Sequence, residues 1–195
     1  MLKECVINNE KITVPVPILN VGDMIDWADS LGSQYGGVVT KILLDGKDIS
    51  LKPDRSQDLG PESSVELNID TPTNLSRDVV TAVISMLEIS SIVIKDLAVS
   101  TWKNDLISLS GRKIVEDLKM VKELIESISS LDVDKIEFDF VKHTQGLSNM
   151  QLRLTRSLKE NNPKEFSSLL LNDLDPFLKN LKLDLQDLYV DLVSG

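Results

Sequence analysis

The sequence predicts an α+β protein of two domains: a small β-rich domain over residues 1–72, followed by an α-helical bundle domain over residues 73–195. Three observations predict it. Five of the seven prolines (15, 17, 53, 61 and 72) precede Thr73, and seven of the nine glycines lie outside the long helical patterns. After Thr71-Pro72-Thr73, short β-favouring runs give way to apolar residues at helical spacing. The 195 residues, 42% of them apolar and 27% charged, suffice for a sizeable core, which excludes disorder over the whole chain.

In the first domain, Glu4-Cys5-Val6-Ile7 and Lys11 to Val16 are two β-favouring runs joined at Asn8-Asn9-Glu10, a hairpin signal. Asn20 or Gly22-Asp23 can start a helix through Met24, Ile25, Trp27, Ala28 and Leu31, which Gly36-Gly37 ends. Its apolar stripe is expected to lie on a sheet. Val38 to Leu44 reads as a strand turning at Asp45-Gly46, with Lys47-Asp48-Ile49 pairing beyond it. After a long loop at 50 to 63, Ser64-Val65-Glu66-Leu67-Asn68-Ile69 alternates with period two.

This β-β-α-β-β order, with the turn LLDGKDI and the last strand SVELNID, resembles the ubiquitin-like β-grasp over residues 2–70. The resemblance is one of fold. It implies a binding or carrier module, and it does not imply conjugation, because the chain continues for over a hundred residues instead of ending in Gly-Gly. The whole layout, a β-grasp followed by a Leu-rich bundle, looks like uncharacterised bacterial proteins more than an enzyme family.

In the second domain, Ser76-Arg77-Asp78 is expected to open a helix with Val79, Val83, Met86, Ile94 and Leu97 on one side and Val80, Ile84, Leu87 and Ile92 on others. A helix apolar nearly all round is expected at the centre of a bundle. Ile114, Leu118, Val121, Ile125 and Ile128 form a clean seam on a helix otherwise rich in Lys and Glu. Leu147, Met150, Leu154 and Leu158 form a third stripe. Asn162-Pro163-Lys164-Glu165 has a capping residue, then Pro at the first helical position, then Glu at the third, so a fourth helix starts there. Its stripe runs through Phe166, Leu170, Leu174, Phe177, Leu181, Leu185, Leu188 and Leu192, with Pro176 forcing a kink or a break. Val133 to Val141 alternates and is ambiguous between strand and helix.

Composition excludes several functions. With 21 Lys and Arg against 31 Asp and Glu, the formal charge is −10, and both domains are acidic, so neither offers the basic face that nucleic acid requires. One Cys and one His exclude a disulfide framework and zinc-finger sites. The N-terminus lacks the apolar core of a secretory signal, and Val79 to Val99 is interrupted by Glu88, Lys95 and Asp96, so no signal and no membrane span are expected and the compartment is cytoplasmic. No phosphate-binding glycine loop and no hydrolase or kinase motif is present. His143, in a polar Lys142 to Gly146 turn, is expected to be exposed and structural. Cys5 reads as a buried or half-buried structural thiol, and Trp27 and Trp102 as packing residues. Asp173 with Asp175, and Asp132 with Asp134 and Asp139, lack the spacing of a calcium loop. Metal and cofactor are both expected to be none.

What remains are the Leu and Ile stripes. Four amphipathic helices satisfy one another, but a further helix apolar all round leaves more apolar surface than a compact globule hides. The expected role is therefore a non-catalytic protein-binding adaptor or assembly factor, dimerising through its helical domain. Its partner residues would be Ile114, Leu118, Val121 and Ile125 on one stripe, and Phe166, Leu170, Phe177 and Leu181 on the other. The alternative is an acidic helical chaperone sheltering an amphipathic segment of a partner. From another class comes a hydrolase with a cryptic carboxylate pair, which needs one carboxyl of raised pKa.

Overall fold

A computed structural model of the chain describes residues 2–50, 53–104, 107, 109–131 and 137–194. The chain divides into two compact units, Met1–Pro72 and Thr73–Gly195, each with its own apolar core.

In the first unit, β1 (Leu2–Ile7) and β2 (Glu10–Ile18) form an antiparallel hairpin. Asn8 and Asn9 both take positive φ, 49° and 69°, the backbone that a tight two-residue turn between twisted strands demands. Helix α1 (Val21–Gln34) is capped by Asn20, whose side chain accepts from the Asp23 N–H at 2.9 Å. Its first N–H groups also donate to the long loop, Val21 to the Gln57 carbonyl and Gly22 to the Arg55 carbonyl, both at 2.9 Å. A Cβ at position 22 would stand 3.1 Å from that Arg55 carbonyl, so glycine lets the loop close over the helix end. Strands β3 (Val38–Leu44) and β4 (Lys47–Asp48) turn at Asp45-Gly46, and β5 (Val65–Asp70) completes a five-stranded mixed sheet of order β2-β1-β5-β3-β4. β1 and β5 run parallel and the other neighbours antiparallel.

One sheet face buries Cys5, Ile42, Leu44, Val65 and Leu67 in the core that Met24 and Ala28 of α1 share. Trp27 packs half-buried against that core, as a packing residue should. The other face is open and polar. Cross-strand partners share a face, and the pairs Glu4 with Thr13, Val6 with Lys11 and Lys41 with Asn68 leave Glu4, Thr13, Lys11, Lys41 and Asn68 exposed.

The second unit is a helical bundle: α2 (Pro72–Asn104), α3 (Leu109–Ser129), α4 (Phe140–Lys159), and α5 (Pro163–Leu169) continuing into α6 (Asp175–Ser194). Helix α2 starts at Pro72, not at the expected Ser76-Arg77-Asp78. Proline suits the first helical turn, where its missing N–H has no partner to lose, and Ser76 lies buried inside the helix instead of capping it. Between α5 and α6, Leu170–Leu174 form a π turn, in which the Asp175 N–H donates to the Leu170 carbonyl five residues back. Of the kink or break expected at Pro176, the break is absent, because the helical path continues through it, and the helix is distorted instead: widening the turn just before the proline accommodates its ring and its missing donor. Of the ambiguous 133–141 stretch, 133–136 lie outside the described residues, 137–139 are irregular, and Phe140 begins α4 behind its Asp139 cap.

Side-chain links fix the helix directions. Arg77 donates to the Leu192 carbonyl at 3.0 Å, Glu88 pairs with Lys182 at 2.7 Å, and Ser91 donates to Asp175 at 2.8 Å, so α2 and α6 are antiparallel neighbours. His143 with Asp184 and Arg153 with Asp173 tie α4 to the α5–α6 path in the same antiparallel sense. Gln151 of α4 donates to the Val115 carbonyl of α3 at 3.1 Å.

Candidate functional site

The stripes assigned to a partner are spent on the chain's own core. Ile114, Leu118, Val121 and Ile125 are buried on α3, as are Phe166, Leu170 and Leu181 on the α5–α6 path, and Phe177 packs half-buried beside them. Seven of the eight are thus buried within the bundle, and Phe177 alone of them keeps part of its surface exposed. The reason is geometric: four antiparallel helices with one stripe each satisfy one another.

Surplus apolar surface lies elsewhere, on α2. Val80, Val83, Leu87, Ile94 and Ala98 face the core. At about 3.6 residues per turn, Ile89, Ile92, Val93 and Val99 fall on the opposite side, and all four are exposed, Ile92 at 68%. Helix α2 is therefore not central as expected; it sits at the bundle's surface with apolar residues on both sides. Trp102, expected to pack, is 58% exposed near the end of the same helix. Helix α6 adds Leu183, Val190 and Val193, exposed on its own outward side. The Glu88–Lys182 pair bridges the two helices, and Ile89 and Leu183 each follow one of its members in sequence. On each helix these residues lie on the solvent side, where apolar patches mark interaction surfaces.

The titratable groups form a separate arrangement. His143 is buried at 3% exposure on α4, not in an exposed turn. Its Nε2 lies 2.9 Å from Asp184 Oδ2, and its ring stacks on Phe138 at 4.7 Å and tilts against Phe177 at 6.5 Å. Burial holds its pKa below the ordinary histidine value, the Asp184 carboxylate opposing and the Lys142 ammonium assisting. The neutral ring then donates from Nε2, and Nδ1 is left buried without a hydrogen-bond partner. Position 146, one turn along, must be glycine-sized, because a Cβ there would stand 2.5 Å from the Phe177 ring.

Cys5 is buried, and burial pushes its thiol up to about 11, leaving it a poor nucleophile. Among the described residues three carboxylates are displaced, all downward. Hydrogen bonds from Ser50 and Ser56 lower Asp48 and Asp54 respectively. At Asp175 burial pulls upward, but hydrogen bonds from Lys179 at 2.6 Å and Ser91 at 2.8 Å, with the charges of Lys179 and Lys95, outweigh it. None of the three is placed to hold a proton near neutrality, as a carboxylic general acid must. Asp173 pairs with Arg153, and Asp139 caps α4 through the Lys142 N–H; Asp132 and Asp134 lie outside the described residues. Among the described residues no group of three or more His, Cys, Asp or Glu is arranged to hold a metal ion. Among them, too, no helix is long and apolar enough to cross a membrane. Set beside known protein families, curated proteins and solved structures, the chain finds no match.

Neither α2's outward strip nor the His143 pocket was assigned from the sequence. The strip had a signal in the all-round apolar character of Val79 to Val99. The pocket had a fainter one in the Phe138, Phe140 and Phe177 aromatics.

Proposed function

We propose that the protein is a non-catalytic protein-binding adaptor that engages its partner through the outward strips of α2 and α6. The observation that carries this reading is the exposure of Ile89, Ile92, Val93 and Leu183 on helices whose opposite faces already complete the core. Exposed branched side chains at helical spacing, unneeded for folding, fit helix-to-helix docking. The order β2-β1-β5-β3-β4 with one helix supports reading the first unit as a ubiquitin-like module in the same chain. Its polar open face favours the bundle over the sheet as the main apolar contact. A cytoplasmic setting accords with a lone, unreactive thiol.

The test is quantitative affinity capture with the full chain and with an Ile89→Asp, Ile92→Asp variant as baits. Specific partners should be lost with the variant while its helical content and melting temperature stay those of the parent. Capture unchanged by the double substitution refutes the assignment. Light scattering over a range of concentrations reads self-association through the same face.

A further inference from the structure

The first turns of α4 are held down by one residue. Within 137–146 only His143 is buried; Phe138, Phe140, Thr144 and Gly146 are half-buried and the rest exposed. The inward stripe of α4 continues from His143 through Leu147, Met150, Leu154 and Leu158, so the chain's single histidine stands at the head of an otherwise apolar seam. Past Gly146 the helix has other anchors. Leu147 and Leu154 are buried, Gln151 donates to the Val115 carbonyl, and Arg153 pairs with Asp173. Glycine is the weakest helix former after proline, so position 146 is the natural joint between the two parts.

Nε2 of His143 donates to Asp184 at 2.9 Å, so a further proton must add at Nδ1, which is buried and has no acceptor among the described residues. The flanking rings of Phe138 and Phe177 offer it none. On α6, Asp184 faces the imidazole and Asp187 stands exposed one turn on. At the start of α4, Lys142 lies 3.9 Å from the same Asp184, Asp139 is engaged as the helix cap, and Glu137 is exposed. On α3, which also packs against α4, Lys119 and Lys122 pair with Glu123 and Glu126 of their own helix at 3.4 Å each. One partly exposed carboxylate, shared with Lys142, thus offsets a charge on a buried ring, and burial outweighs it.

We propose that the start of α4 is an acid-released latch: protonation of His143 at Nδ1 frees residues 137–146 from α6 about Gly146 and uncovers the Phe177 ring, while the rest of the bundle stays folded. The device does not depend on the docking strips of α2 and α6. Opening lets water solvate both ring nitrogens, so the imidazolium favours the open form and the neutral ring the closed one. Each opening takes up one proton, so its equilibrium constant rises by close to tenfold per pH unit below about 6.5.

The test is hydrogen exchange of the full-length protein, read amide by amide by NMR from about pH 7.5 to about pH 5 and corrected for intrinsic rates. Protection at residues 144–147 should fall by close to tenfold per pH unit below about 6.5, while Leu118 to Ile125 on α3 and Leu181 to Leu188 on α6 keep theirs. In His143→Phe, which keeps a ring and removes the titrating group, that pH dependence should vanish. The His143 Cε1–H resonance of the parent gives the answer without a variant: charging of the ring should track the loss of protection. A ring that charges while residues 144–147 stay protected overturns the proposal. So does protection that is unchanged down to about pH 5, or a loss that spreads in step over α3 and α6. A pH dependence undiminished in folded His143→Phe assigns the release to other groups and overturns it as well.

Discussion

Ile92 and Ile94 lie two residues apart on α2, the first 68% exposed and the second fully buried. Replacing each in turn with alanine isolates burial, because both substitutions change helix propensity by the same small amount. Ile94 belongs to the core shared with α3 and the α5–α6 path, so Ile94→Ala should cost about 2–5 kcal/mol from lost transfer energy and an unfilled cavity. Ile92→Ala should stay within about 0.5 kcal/mol of the parent. The second unit holds about 120 residues, giving an unfolding entropy of roughly 0.25 kcal/mol/K, so a loss of about 3 kcal/mol lowers its melting temperature by about 12 °C. Urea and thermal unfolding followed by circular dichroism read both numbers. A cost above about 1.5 kcal/mol for Ile92→Ala would show that this side chain is covered in solution. If that cost grew with protein concentration, the cover would be a second copy.

Other outcomes follow from the remaining packed groups. Gly146→Ala should destabilise the bundle although alanine favours helix by about 1 kcal/mol, because driving a methyl to 2.5 Å from the Phe177 ring costs about 1–3 kcal/mol; urea midpoints check it. His143 has its pKa held below the unfolded value by burial, so its contribution to stability is full above about pH 6.5 and is lost as pH falls through that value toward the native pKa. Melting temperatures from pH 8 to 5 should therefore fall less for His143→Phe than for the parent. Cys5, with its thiol raised to about 11, should react with a disulfide reagent at pH 8 more than about 100-fold more slowly in the native protein than in denaturant. Asn20→Ala removes the α1 cap and should cost about 1 kcal/mol in the first unit, read by the same melts.

Most of the fold was legible because its punctuation is local. Asn8-Asn9 and Asp45-Gly46 take the positive φ angles their turns require, and Asn20 and Asn162 cap the helices they precede, each through a bond between residues three apart. Such signals need no knowledge of the rest of the chain. Ser76 misled because a Ser-Arg-Asp run has the chemistry of a cap, while the residue that opens α2, Pro72, looks like a linker. His143 misled for the opposite reason: its sequence neighbours are polar, and its aromatic surroundings come from Phe138 upstream and from Phe177, 34 residues on.

The outward face was half legible, and periodicity shows why. Spacing identifies which residues share a side of a helix, but it does not say which side is inward when two are apolar. On α3 a single stripe left no choice, and all five of its residues are buried. On α2 the sequence offers Ile92 and Ile94 as equals. What distinguishes them is the supply of partners: the stripes of α3, α4 and α6 close the core against one side of α2 and leave nothing within the bundle to cover the other. A central helix would need a further layer of helices outside it, which the second unit, as described, does not supply. The excess is therefore a property of the bundle as a whole, and α2, the longest of its helices, carries it where it can meet another molecule.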